Sequence, residues 1–407
     1  MTAPATLDSR YSWLRLVVTL AVSAVANVGM WSIVVVMPGI EAEFAIGRAN
    51  TALSYTLTML GIAAGSVIMG RVVDRYGVTI AISIAACIIS LGYGLTSVAN
   101  TIETVTALHL LIGFGTGSGF APLLADISHW FSRRRGIAVA LVASGNYVSG
   151  AFWPLLLSRI LVEDGWRGAY FALAVIVPIL MIPLSMLLRR RIPDDASNHA
   201  DQLRMSNAAR VPFSPRTLQL LLMVAGVSCC VAMSMPQVHL VSLCTDLGYG
   251  PAVGAEMLSL MLVGGIASRL VSGMIADRLG AVVTILIGST LQCLALFLYL
   301  PFDGLASLYI VSLVFGLAQG GLVPSYALIV REYLPAREAG ARVGMVIMAT
   351  ILGMALGGWM SGYIYDLSGS YTLAFVNGIV WNFVNIAILG GLWFISRKGR
   401  TVRPAAV

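Results

Sequence analysis

Charge is scarce in this chain. Asp, Glu, Lys and Arg make up 11% of 407 residues while 58% are hydrophobic, against about a quarter charged in soluble domains. A soluble fold is excluded. Lysine is almost absent, with Lys398 alone near the C-terminus. The five cysteines (Cys87, Cys229, Cys230, Cys244, Cys293) are odd in number and show no Cys-x-x-Cys spacing, which argues against a metal site or a disulfide framework and for small apolar packing residues. There is no Gly-x-x-x-x-Gly-Lys-Ser/Thr loop and no large soluble domain, so direct ATP coupling is not supported. Nor is there a nucleophile, base and orienting group in an enzyme-like pattern. The reading is of a non-enzyme without cofactor or metal.

What is present is apolar sequence in blocks of about 20 residues, the length a helix needs to cross ~30 Å of hydrocarbon. Twelve such blocks fall near 13–36, 50–70, 79–98, 104–127, 136–160, 168–188, 217–241, 254–274, 281–301, 305–329, 342–365 and 372–395. The expected fold class is therefore all-α and integral to the membrane. The first block is too long for a signal-peptide core and ends in Met-Pro-Gly without a small-residue cleavage pattern, so it is expected to be a retained span. A cytoplasmic N-terminus leaves Arg48, Arg159 and Arg167 outside, Arg269 within a span, and every other basic residue on the cytoplasmic side. The positive-inside rule thus accounts for the net charge of +7 without nucleic acid.

A shift of 203 residues superposes the chain on itself: Gly70, Asp74, Arg75 and Gly77 of GRVVDRYG fall on Gly273, Asp277, Arg278 and Gly280 of GMIADRLG, and Trp130 and Arg134 on Tyr333 and Arg337. The polar stretch 189–216 separates the copies. The expected organisation is two pseudo-symmetric six-helix bundles, 1–188 and 217–407, joined by a cytoplasmic linker at 189–216. Parallel repeats of this kind are a signature of alternating-access transporters. Both turns resemble the signature of the major facilitator superfamily after spans two and eight. The eight residues are expected to form a conformational latch, in which glycines allow a tight turn and close helix approach while Asp74 and Asp277 face helix N-termini and arginines. The Gly-rich run Gly113–Gly119 is read as helix packing rather than as a phosphate loop.

A second resemblance is narrower. HWFSRRRGIAVALVASGNYVSG, Pro154, DGWRGAYF, VHLVSLCTDLGYG and the Arg269 of Gly-Gly-x-x-Ser-Arg resemble the monocarboxylate transporter family and the related oxalate:formate antiporter group. That resemblance implies a small organic anion as substrate and Arg269 as its contact. The sequence departs from the pattern at three places: Gly265 stands where some animal members have an aspartate, no lysine occupies span eleven, and His109 stands where many superfamily members have an arginine in span four.

No acidic residue lies at the middle of a predicted span; Glu256 is about 20 Å along the helix from Arg269, and Asp126 lies near the inner end of span four. An arginine inside the bilayer costs at least about 2.5–3.5 kcal/mol on insertion scales, and its planar fork suits a carboxylate. The competing reading has Arg269 snorkel to the cytoplasmic surface or pair with Asp277, about 12 Å of helix rise away. Asn27 and Trp31 in span one, Asn146 and Tyr147 in span five, Gln237 and His239 in span seven, and Gln319 and Tyr326 in span ten are further candidates for the pocket. For each, interhelical packing competes with substrate contact, and His239 is also placed for a gate or a proton. The expected function is secondary transport of a monocarboxylate with proton symport or anion exchange. The expected partners are the anion, with or without protons, and the lipid bilayer, and the functional unit is expected to be a monomer. The expected location is the plasma membrane, the inner membrane in a bacterium, with both termini cytoplasmic. The alternatives are a proton-coupled drug or cation efflux antiporter and a non-transporting membrane sensor.

Overall fold

The structure, a computed structural model, describes residues 7–131, 134–190, 214–334 and 339–401. Among these residues every regular element is a helix. The first half of the chain forms α1 (Arg10–Ala26), α2 (Val28–Phe44), α3 (Arg48–Tyr76), α4 (Val78–Ser97), α5 (Ile102–Thr116), α6 (Ala121–Ser128), α7 (Arg135–Ala143) and α8 (Gly145–Met186). The second forms α9 (Pro215–Asp246), α10 (Pro251–Leu279), α11 (Ala281–Leu298), α12 (Leu305–Gln319), α13 (Leu322–Tyr333), α14 (Ala339–Ser368) and α15 (Thr372–Thr401).

Among the described residues, eleven continuous segments are long and apolar enough to cross a membrane. One of them, Ile137–Met186, has 50 residues, about 75 Å of helix against ~30 Å of hydrocarbon. At Gly165 its backbone leaves the helix (φ 66°, ψ −173°), so this segment makes two passes and accounts for both predicted spans at 136–160 and 168–188. Leu91, Phe171, Ile179, Ile310 and Val380 lie in spans yet are each more than half exposed. In water such a surface would carry a hydrophobic penalty of about 25 cal/mol per Å²; in lipid it carries none. The chain is a multi-pass membrane protein.

The described residues fall into two compact units, one within Met1–Ser197 and Val238–Val263, the other within Asn198–Gln237 and Gly264–Val407. In the first unit the end of α9 is tied down by Arg48, whose Nη1 donates to Asp246 Oδ2 at 2.6 Å. A Cβ on Gly150 would meet Leu262 Cδ1 at 2.3 Å and the Trp31 ring at 2.6 Å, so the start of α10 also packs into this unit. The second unit has its own core, with Leu222, Cys229, Ile285, Tyr326, Ile329 and Leu389 fully or almost fully buried. The linker expected at 189–216 lies outside the described residues except at its two ends.

The internal repeat is visible in local geometry. α3 and α10 each have 29 residues. α5 and α12 each have 15 and end at Thr116 and Gln319, which are one repeat shift apart. Beyond these ends both helices are interrupted, by a 3₁₀ turn at Gly117–Gly119 in one copy and by a turn at Gly320–Gly321 in the other. Within the Gly-rich run a Cβ on Gly113 would lie 2.1 Å from the Thr58 carbonyl oxygen. The expected close packing of this stretch on α3 is present.

Candidate substrate site

Arg269 lies in α10 and is only 7% exposed. Its Nε donates to the Gly320 carbonyl oxygen at 3.1 Å, and the Gly320 amide donates to Ser268 Oγ at 3.2 Å. The two helices touch backbone to backbone here. A Cβ on Gly320 would fall 2.1 Å from the Gly265 oxygen and 2.8 Å from the Arg269 nitrogen.

The first unit contains the same contact. Ser66 Oγ donates to the Gly117 carbonyl oxygen at 3.1 Å, and a Cβ on Gly117 would lie 2.5 Å from the Ser66 nitrogen and 2.6 Å from the Ile62 oxygen. Positions 62, 66 and 117 map onto 265, 269 and 320 by the repeat shift. Arg269 therefore stands where the first repeat has a serine, and a neutral hydroxyl makes the same interhelical bond.

A second pair lies beside it in sequence. Gln319, the last residue of α12 and the chain neighbour of Gly320, accepts at Oε1 a 2.6 Å hydrogen bond from Gln237 Nε2. Gln237 is 2% and Gln319 0% exposed. The first repeat has Val34 and Thr116 at the equivalent positions, and Thr116 donates only to Ile112 of its own helix.

The remaining candidates are placed as follows. Trp31 Nε1 donates to the Asn146 carbonyl and side-chain oxygens, both at 3.0 Å, so these two are brought together. Asn27 Nδ2 donates to the Ser23 and Gly119 carbonyl oxygens and ties α1 to the 3₁₀ turn. Tyr147 and His239 are buried in the first unit. Tyr326 is fully buried in the core of the second, where its hydroxyl donates to Asn385 Oδ1 at 2.6 Å and Asn385 Nδ2 donates to Ser289 Oγ at 2.7 Å. That chain braces α13 against α15 and α11.

The latch residues divide by geometry. Gly77 and Gly280 have positive φ, as the expected tight turn requires. At Gly70 and Gly273 a Cβ would meet nothing within 4 Å. Among the described residues, no helix approaches closely at either position.

Several polar contacts were not legible from the sequence motifs. Arg15 donates from Nε and Nη2 to the Asp126 carboxylate and from Nη1 to the Leu188 oxygen, with its guanidinium carbon 4.4 Å from the centre of the Trp130 ring. His109, fully buried, has Nδ1 2.7 Å from the Val105 carbonyl oxygen. Since that oxygen only accepts, Nδ1 carries the proton and Nε2 accepts from the Tyr170 hydroxyl at 2.9 Å. Trp166 and Arg167 of DGWRGAYF both hold Glu43, at 2.6 and 2.5 Å. The motif residues Trp130, Trp166 and Arg167 thus act in the architecture of the first unit. The signal for Arg15 and Asp126 was a pair of opposite charges at the inner ends of spans one and four. Among the described residues no group of His, Cys, Asp and Glu is arranged to hold a metal ion.

Comparison with known proteins agrees with the repeat and the turns. The Major Facilitator Superfamily matches residues 19–256 and 220–407. Monocarboxylate transporter 13 of Bos taurus is 28% identical over 330 residues, covering 79% of this chain and 75% of that protein. Monocarboxylate transporter 11 of Homo sapiens is 28% identical over 390 residues, covering 91% and 80%. These relatives are named as transporters, not as enzymes. A crystal structure of a bacterial homologue of the human lysosomal transporter Spinster, inward-facing and unoccupied, superposes with a TM-score of 0.72 at 13% identity over 98% of this chain and all of that one. With two copies of its turn, two interrupted helices at equivalent positions and matches that together span nearly the whole sequence, the chain belongs to the major facilitator superfamily of transporters.

Proposed function

We propose that this protein is a secondary transporter that moves a small monocarboxylate by alternating access, with proton symport or exchange against a second anion. Arg269 is the anion anchor. In this reading the halves 1–188 and 217–407 rock about the linker 189–216, the turns at Gly77 and Gly280 belong to the latch between conformations, and the functional unit is a monomer. Its location is the plasma membrane, with both termini cytoplasmic.

The observation that carries the proposal is the pairing of Arg269 with Ser66. Both side chains make the same bond to a glycine carbonyl on the neighbouring helix. Serine does so without charge, whereas an arginine in a span costs at least about 2.5–3.5 kcal/mol. An arginine kept at that cost, at a position where the first repeat makes the helix contact with a serine, supports an anionic ligand. A guanidinium meets a carboxylate through two parallel N–H donors, and one negative charge neutralises it. The names of the relatives point to the same substrate class.

The test is uptake of radiolabelled monocarboxylates into proteoliposomes under an imposed pH gradient or against an internal anion. Arg269→Ser restores the residue of the first repeat and keeps a donor for Gly320, so the variant is expected to fold and to lose uptake by more than tenfold. Unchanged uptake overturns the proposal. Thermal stabilisation by quaternary amines and by no carboxylate would favour cation efflux instead, and absence of any substrate-dependent flux would favour a sensor.

A further inference from the structure

Gln237 and Gln319 share one hydrogen bond and leave one complementary pair unused. Gln237 Oε1 and Gln319 Nε2 are both buried and have no hydrogen-bond partner. Turning both amides about changes which residue carries the leftover oxygen and which the leftover N–H, but a single bond between two amides always leaves one acceptor and one donor. An unsatisfied buried polar group is costly, and here two are carried by side chains that are hydrogen-bonded to each other between helices α9 and α12.

The pair also stands out against the internal repeat. The first repeat has a valine and a threonine at the equivalent positions, and the threonine satisfies itself on its own helix. The second repeat replaces both with long amides, next in sequence to the glycine that Arg269 grips. Three polar departures from a common scaffold, Arg269, Gln237 and Gln319, thus converge on the break between α12 and α13.

The structure assigns Gln237 and Gln319 the reading of a second polar group on the transported anion, and the group that fits is a hydroxyl. A hydroxyl accepts from the free amide N–H and donates to the free amide oxygen at once. A ketone satisfies only the donor, and an alkyl group neither. The two glutamines are therefore specificity-determining residues that favour hydroxylated over plain alkyl monocarboxylates. This inference rests on the proposed carboxylate transport.

Proteoliposome uptake of propionate, 2-hydroxypropionate, 3-hydroxypropionate and 2-oxopropionate tests it. In the unaltered protein one of the two hydroxy acids should enter at least tenfold better than propionate and the oxo acid, the factor that corresponds to about 1.4 kcal/mol for one unmet polar group. Gln237→Leu and Gln319→Leu should each bring the ratio of hydroxy-acid to propionate uptake down toward one. The preference ratio separates ligand reading from packing, because a merely structural pair would lower uptake of all four acids alike. Propionate entering as well as both hydroxy acids overturns this inference alone, and so does a preference that survives in either folded variant. Should neither variant fold, the wild-type ratio decides. Failure of all four acids to enter overturns the proposed function and this inference with it.

Discussion

Gly77 and Gly280, at equivalent positions of the two repeats, end α3 and α10 in nearly the same backbone conformation, φ 92°, ψ 162° and φ 87°, ψ 159°. This region is essentially reserved for glycine and costs other residues about 1–3 kcal/mol. Gly77→Ala and Gly280→Ala should each lower the melting temperature in detergent by comparable amounts. Gly70→Ala and Gly273→Ala should leave it unchanged or raise it, because the added methyl meets open space and alanine is a better helix former by up to about 1 kcal/mol. The reverse order would mean that the outer glycines, not the turn glycines, are under structural constraint.

Arg15 and Asp126 form a buried ion pair whose side chains are 1% and 14% exposed. Truncating one partner of such a pair strands the other charge and typically costs 3–5 kcal/mol. Arg15→Met should therefore destabilise the protein strongly. Arg15→Met with Asp126→Leu should recover much of the loss, since apolar replacements of a buried pair are often neutral. Thermal unfolding of the single and double variants measures this, and a double variant no better than Arg15→Met alone would show that the bonds from Arg15 Nη1 to the Leu188 and Arg190 carbonyl oxygens, at 2.9 and 3.2 Å, matter and the ion pair does not.

Much of the fold was legible because membrane helices announce themselves by length and apolarity, and because the turn residues of the repeat are chemically distinctive. The break at Gly165 fell between two predicted spans even though the helices run almost continuously through it. The site was legible in part. A lone arginine in an apolar run stands out, but its bond to Gly320 depends on two helices meeting at Gly265 and Gly320, which no local pattern encodes. Tyr326 could not be told from a pocket residue by sequence, since only tertiary structure shows its hydroxyl engaged by Asn385. Likewise Gln237 and Gln319 are far apart in the chain, and only their pairing reveals the unused donor and acceptor.

Glu332, half-buried at the end of α13, accepts a hydrogen bond from the Ala281 amide in the first turn of α11, yet burial outweighs this bond and raises its pKa above the usual carboxylate value. A folded-state pKa above the unfolded one means that the folded protein holds the proton more tightly. The stabilisation is complete below the unfolded pKa and is lost as pH rises through the folded one. Glu332→Gln keeps an acceptor for Ala281 and carries no charge. It should match the wild type at acid pH and melt at a higher temperature at neutral pH. Melting curves between pH 4 and 8 check this, and a gap that closes as pH rises would show that attraction to the α11 N-terminus dominates.

Arg48 opens α3, where a cation opposes the helix dipole, and two acids offset this: Asp246, held through both Nη atoms, and Glu41, 3.4 Å from Nε. By sequence Arg48 belongs to the first repeat and Asp246 to the second, while both lie in the first compact unit of this structure. If the halves 1–188 and 217–407 rock as proposed, this ion pair is expected to break in the cycle. Its charged hydrogen bonds contribute about 1–3 kcal/mol to the conformation that holds it, a shift of roughly 5–150-fold in a two-state balance. Arg48→Gln and Asp246→Asn should each move the population toward the form in which residues 48 and 246 are apart, and the double variant should do little more than either single one, because the same interaction is removed. Distance distributions between spin labels placed near 48 and 246 report the populations directly. Additive shifts in the double variant, or none in the singles, would show that the pair is a bystander of the conformational change and not one of its latches.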